Sequence, residues 1–136
     1  MDANVVLLAL QDKVSSEGLS VLQDKLKNAN ESQLEKIVIT PFKNPIIGLI
    51  LGFFLGFLGV DRFYKGNIFI GILKILIPLI LLFISFFTIW YGGSEELFIS
   101  AIIIAYTTSL GWWFIDLFLV WKGIKRDNLN RILMQL

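Results

Sequence analysis

The chain has 136 residues, 56% of them hydrophobic and 12 of them Phe, and a formal net charge of +1. A soluble domain of this length lacks the interior volume to hide so much apolar surface, and a near-neutral balance argues against a broad basic face for nucleic acid. With no Cys and no His, disulfides, thiol nucleophiles, imidazole bases and the usual zinc sites drop out together.

Charge is segregated along the chain. Residues 45–121 carry only seven ionisable side chains of the Asp, Glu, Lys and Arg types, namely Asp61, Arg62, Lys65, Lys74, Glu95, Glu96 and Asp116. Lipid is therefore the expected solvent of this middle section. Residues 1–20 are not expected to be a signal peptide, because they lack a basic start and the run Val5–Leu10 is short and followed by Gln11-Asp12-Lys13. Insertion through internal segments is expected instead.

In chain order, residues 3–39 read as short amphipathic helices. Val5, Val6, Leu8 and Leu10 form a first apolar face, and Ser15-Ser16-Glu17-Gly18 interrupts it. Leu19, Leu22 and Leu26 then recur at helical spacing before a second break at Asn28-Ala29-Asn30. Ser32 followed by Glu35 fits a capping box for a third helix that runs through Ile39 and stops at Pro41. Forty residues bury little core by themselves, so residues 1–44 are expected to lean on the membrane, on the membrane domain or on a protein partner.

Three apolar segments follow. Segment one, residues 45–60, would be roughly 24 Å long as a helix, short against a hydrocarbon core of about 30 Å. Segment two, residues 68–91, would reach roughly 36 Å, and Pro78 can kink it without forbidding it. Segment three, residues 97–121, contains a weak point at Thr107-Thr108-Ser109-Leu110-Gly111. Trp90, Tyr91 and Trp121 close segments two and three in the manner of aromatic belts. The tail 122–136 places Leu129, Ile132, Leu133 and Leu136 on one face beside Lys122, Lys125, Arg126 and Arg131, the pattern of a basic amphipathic helix lying on an anionic membrane surface.

Gly48, Gly52, Gly56 and Gly59 fall on one helical face and form a groove for close packing, either within this chain or on a second copy. The polar connector Asp61-Arg62-Phe63-Tyr64-Lys65-Gly66 links segments one and two. Gly56-Phe57-Leu58-Gly59-Val60 followed by this connector resembles the signature of the TM2 domain family. Gly111-Trp112-Trp113-Phe114-Ile115-Asp116-Leu117 resembles that family's second helix, with a Gly-aromatic stretch and an intramembrane Asp. The resemblance covers residues 45–121 and is similar to bacterial members of the Helicobacter and Campylobacter kind. It implies two membrane helices joined through the connector and no agreed enzymatic activity, with a few animal members linked to signalling. The extra hydrophobic length at 72–110, the N-terminal helices and the basic tail depart from it.

The positive-inside rule places the connector (Arg62, Lys65) and the tail (Lys122, Lys125, Arg126) in the cytoplasm, and Glu95 and Glu96 outside. Segment one leaves residues 1–44 on either side: outside if it spans, cytoplasmic if it re-enters, with the cytoplasmic placement preferred. Asp116 lies six residues before Lys122, roughly 9 Å inside the cytoplasmic end of segment three, and Lys74 lies at similar depth. Asp116 is expected to pair with Lys74 or Arg62 and so tie the connector to segment three, while Asp61 caps the following helix or meets a backbone group.

The expected architecture is all-α: a small helical integral membrane protein with two to three transmembrane segments, a short helical N-terminal region (1–44), a TM2-like domain (45–121) and an amphipathic C-terminal helix (122–136). It is expected as a multi-pass protein of the bacterial cytoplasmic (inner) membrane, acting as a non-catalytic adaptor or assembly component through helix packing. The alternative is a small oligomeric channel or transporter component. Expected partners are the lipid bilayer, a second copy through the glycine stripe, and a protein at the N-terminal helices; no nucleic acid, cofactor or metal is expected. An enzyme would have to use Asp61, Asp116, Arg62 and Tyr64, which make no convincing acid–base pair.

Overall fold

The computed structural model describes residues 2–136, and among these every regular element is helical. Helices α1 (Ala3–Leu10), α2 (Ser16–Lys27) and α3 (Glu31–Ile39) precede α4 (Pro45–Leu55), a 3-10 turn (Gly56–Leu58), α5 (Val60–Lys65), α6 (Ile68–Trp90) and α7 (Glu95–Leu133). The chain forms two compact units: Met1–Gly48 with Val120–Leu136, and Leu49–Leu119.

In the first unit, local sequence sets each helix start. The Asp2 side chain accepts from the Asn4 N–H at 2.9 Å, and Ser15 Oγ accepts from the Gly18 N–H at 3.2 Å. Helix α3 opens two residues earlier than the Ser32–Glu35 pattern suggests. Asn30 is the cap, its side chain accepting from the Gln33 N–H while the Gln33 side chain accepts from the Asn30 N–H, both at 2.9 Å. Asn is a good N-cap, and Gln supplies the reciprocal bond as well as Glu would.

These three helices share one core with the end of α7. Val6, Leu10, Val14, Leu22, Leu26, Leu34, Ile37 and Ile132 are buried together, with Leu129, Leu133 and Leu136 packed against them. The tail is therefore not free to lie on a bilayer by its apolar face, because that face is spent on α1–α3. Asn128, itself buried, donates from its side-chain amide to the Lys13 carbonyl at 2.9 Å and the Lys43 carbonyl at 2.8 Å. One amide thus holds the α1–α2 link and the stretch before α4 onto the same helix. Gln135 adds a bond to Thr40 Oγ1 at 3.0 Å.

Two helices, α6 with 23 residues and α7 with 39, are long and apolar enough to cross a membrane, whereas Pro45–Leu58 is shorter. Segment three and the tail, read from sequence as separate, form one helix about 58 Å long. A glycine inside a helix, here Gly123, costs only about 1 kcal/mol, and nothing else in that stretch breaks the pattern. The expected weak point also stays helical. Thr107, Thr108 and Ser109 donate their hydroxyls to the carbonyls of Ile103, Ile104 and Ala105 at 2.8, 2.7 and 2.7 Å, so the groups that could compete with the helix bond back into it.

In the second unit the turn after α4 depends on Gly59, whose φ of +66° is left-handed. A side chain there would be strained, and its Cβ would lie 2.6 Å from the Gly71 carbonyl oxygen of α6. Glycine lets the connector start in contact with the α6 backbone. The short helix α5 then closes at Gly66, with Gly66 and Asn67 N–H groups both reaching the Arg62 carbonyl at 3.0 and 2.9 Å.

Candidate functional site

The connector helix α5 points Asp61 and Arg62 inward, where both are buried although they are charged. Lys74 on α6 and Asp116 on α7 are buried with them. Arg62 meets Asp116 as a fork: Nε donates to Asp116 Oδ2 at 3.0 Å, and Nη2 donates to Oδ1. Lys74 Nζ donates to the same Asp116 Oδ2 at 2.7 Å and to Asp61 Oδ2 at 3.1 Å. Two cations and two carboxylates therefore form one network with no net charge.

Such an arrangement is what an apolar setting demands. A lone buried ion carries a desolvation penalty of several kcal/mol, which its partners offset only with good geometry and satisfied hydrogen bonds. Among the described residues, no buried side-chain nitrogen or oxygen lacks a hydrogen-bond partner. The expected link of Asp116 to Lys74 or Arg62 resolves to both at once. Asp61 does not cap a helix; Lys74 takes it instead. The 13-residue step from Asp61 to Lys74 crosses the turn at Gly66 and has no helical periodicity, so spacing gives no signal of this pairing.

The other connector residues face elsewhere on the unit: Phe63 is partly exposed and meets α6. The Phe63 ring lies over Gly71 of α6, where a Cβ would come within 2.7 Å of Phe63 Cε1. Tyr64 follows on α5, half-buried.

The glycine stripe closes the other side. Gly48, Gly52, Gly56 and Gly59 are all buried. A Cβ at Gly52 would lie 3.0 Å from Leu117 Cδ2, and one at Gly56 would lie 2.7 Å from Trp113 Cδ1. At Gly52, Gly56 and Gly59 the stripe packs on α7 and α6 of this same chain, so a second copy is not what fills it there. Trp113, a residue the sequence reading gave no role of its own, stacks on Phe57 at 5.7 Å with the rings 4° apart. Its indole N–H donates to the Gly52 carbonyl at 2.8 Å. That carbonyl sits in the last turn of α4, where intrahelical partners run out, so the indole acts as a cap supplied by another helix. A Trp in an apolar stretch normally needs such an acceptor, and that was the available clue.

Chemically the cluster is a clasp. Each ionisable group is held by an opposite charge, and the three helices that carry them are tied through it. No group of three or more His, Cys, Asp or Glu that could hold a metal occurs among the described residues.

A family model for the TM2 domain matches residues 41–92. The uncharacterized membrane protein YozV of Bacillus subtilis (strain 168) is 48% identical over 59 residues, which make up 40% of this chain and 73% of that protein. The chain belongs to the TM2 domain family. In this TM2 protein the family match takes in segment one, the connector and α6, and it ends at residue 92. The Gly111–Leu117 block, likened above to the family's second helix, lies on α7 beyond the matched residues, yet it supplies both the central carboxylate and the capping indole. No solved structure matches the chain.

Proposed function

We propose that this TM2 protein is a two-pass protein of the bacterial cytoplasmic membrane that acts without catalysis, as an adaptor or assembly component. The observation that carries this reading is the closed, neutral Asp61–Arg62–Lys74–Asp116 network. Its members are committed to one another, which suits a rigid mount better than a reaction centre or an ion path. The cleft beside Lys74, lined by Phe57, Pro78, Ser109 and Trp112, has a volume of only 20 Å³, about one water.

The shared core of the first unit supports the sidedness of this reading. With Ile132 and Asn128 of α7 packed among α1–α3, residues 1–44 and the tail lie on the same side of the membrane. If α6 and α7 both span, the connector with Arg62 and Lys65 lies on the side of Lys122, Lys125 and Arg126, while Glu95 and Glu96 lie opposite. Helix α4, about 16 Å long, then enters and leaves by the same face. The adaptor part draws on the apolar side chains that the first unit leaves exposed, Val5 and Leu8 on α1 and Val38 and Ile39 on α3.

The test uses the absence of cysteine. Single thiols at Ser20, Asn67, Ser94 and Gln135 are labelled in intact cells with a membrane-impermeant maleimide. Labelling at Ser94 alone is expected; labelling at Ser20 would overturn the two-pass reading. For the adaptor role, photocrosslinkers at Leu8 and Ile39 should trap a discrete protein in cells, and adducts to lipid alone would refute it. Ion flux through reconstituted wild-type protein that is lost in Asp116→Asn would favour the channel alternative.

A further inference from the structure

A second charged feature lies outside the TM2 network. Where the apolar run of α7 ends at Trp121, the next turns present Lys122, Lys125 and Arg126 along a groove of 560 Å³. The facing wall is the start of α2, with Ser15, Ser16, Glu17, Gly18 and Val21, and Leu129 forms the floor. The two walls meet closely at Gly18, where a Cβ would lie 3.1 Å from Leu129 Cδ2.

Lys125 is held in position by its ammonium, 4.4 Å from the centre of the Trp121 ring. Lys122 and Arg126 are exposed, and neither makes an ion pair among the described residues. Glu17 is the one carboxylate lining the groove, so the lining carries a net charge of +2 (three cations, one anion). The Ser16 hydroxyl and the first-turn N–H groups of α2 that the Ser15 cap leaves over add hydrogen-bonding capacity suited to an anion.

The apolar face of the tail is buried in the helical core, so these cations are not there to float an amphipathic helix on the bilayer. Their position points elsewhere. A Trp at the end of a spanning helix sits at headgroup level, which puts the groove beside lipid phosphates. We propose that this groove is a binding site for the phosphate of an anionic phospholipid headgroup, with Lys122, Lys125 and Arg126 as its cationic contacts and an acyl chain running past Trp121 into the bilayer. The proposal rests on the reading that α7 spans with Trp121 at the cytoplasmic edge, which the thiol labelling tests separately.

The experiment uses the full chain in nanodiscs of phosphatidylcholine, with phosphatidylglycerol titrated in and bound lipid counted by native mass spectrometry. The wild type should retain phosphatidylglycerol over phosphatidylcholine. Neutralising one cation, as in Arg126→Gln, should weaken retention about fivefold, and the triple variant K122Q/K125Q/R126Q about a hundredfold. Lys25→Gln with Lys27→Gln, which lowers the charge of the same unit outside the groove, should change nothing. Equal losses in the two sets would reduce the effect to general charge attraction and overturn the site. Inorganic phosphate at millimolar concentration should fail to displace the lipid; full displacement would mean that the groove takes free phosphate instead. Retention of a co-purified acidic protein in place of lipid would likewise overturn the proposal in favour of a protein partner. Each variant's thermal midpoint in pure phosphatidylcholine should match the wild type, since none of these side chains is buried.

Discussion

Replacing Asp116 by Asn keeps the shape of the side chain and removes one formal charge from a network that is otherwise neutral. Lys74 retains a carboxylate partner, because Asp61 Oδ2 is 3.1 Å from its Nζ. Arg62 does not. Both of its side-chain hydrogen bonds, through Nε and Nη2, go to Asp116. The variant therefore strands a guanidinium at 6% relative exposure. Breaking a buried pair by removing one partner costs about 3–5 kcal/mol. Asp61→Asn removes only the longer of the two Lys74 ion pairs and leaves Asp116 on both cations, so about 1–3 kcal/mol is expected. The double variant R62Q/D116N returns the cluster to neutrality and should be more stable than D116N alone, with a coupling of about 1–3 kcal/mol. Reversible unfolding in mixed detergent micelles, followed by intrinsic tryptophan fluorescence, measures the wild type, D61N, R62Q, D116N and the double variant. If D116N is as stable as the wild type, or if R62Q and D116N add without coupling, the network is not what joins the connector to α7.

Three further outcomes follow from the packing. Gly56→Ala should destabilise the TM2 unit by about 1–3 kcal/mol, because its Cβ would meet the Trp113 ring at 2.7 Å, and Trp113→Leu should relieve most of that cost; unfolding in the same micelles checks both. Trp113→Phe keeps an aromatic against Phe57 but leaves the Gly52 carbonyl without the indole donor, for a loss of about 1–2 kcal/mol by the same measurement. Ile132→Ala opens the core shared with α1–α3 from the far end of the chain, at about 2–4 kcal/mol. Faster hydrogen exchange in α1–α3, with α6 unchanged, would be its signature.

Much of this could be read from residue order because the causes are local or set by the solvent. The apolar runs of α6 and α7, their aromatic ends and the isolation of Asp116 and Lys74 among hydrophobic neighbours follow from what lipid tolerates at each position. The connector with its glycines is likewise a local pattern, and it carries the resemblance to the TM2 family. The start of α3 at Asn30 rather than Ser32 was a choice between two adequate caps two residues apart, where pattern alone has little leverage.

What only the tertiary structure decided are the questions of partner. Charge counts allow Asp116 one cation or two, and Asp61 a backbone group or a lysine. The folded chain gives Asp116 both Arg62 and Lys74, because α5, α6 and α7 converge at one point. A stripe of glycines shows that something packs closely without saying what; here Gly52 and Gly56 meet Leu117 and Trp113, more than fifty residues further along the chain, and Gly59 meets the Gly71 backbone. The amphipathic tail has the same pattern whether its apolar face meets lipid or protein, and α1–α3 supplied the protein. In each case the sequence carries the chemistry of one surface, while identity of the surface opposite depends on contacts between residues far apart in the chain, for which periodicity carries no signal.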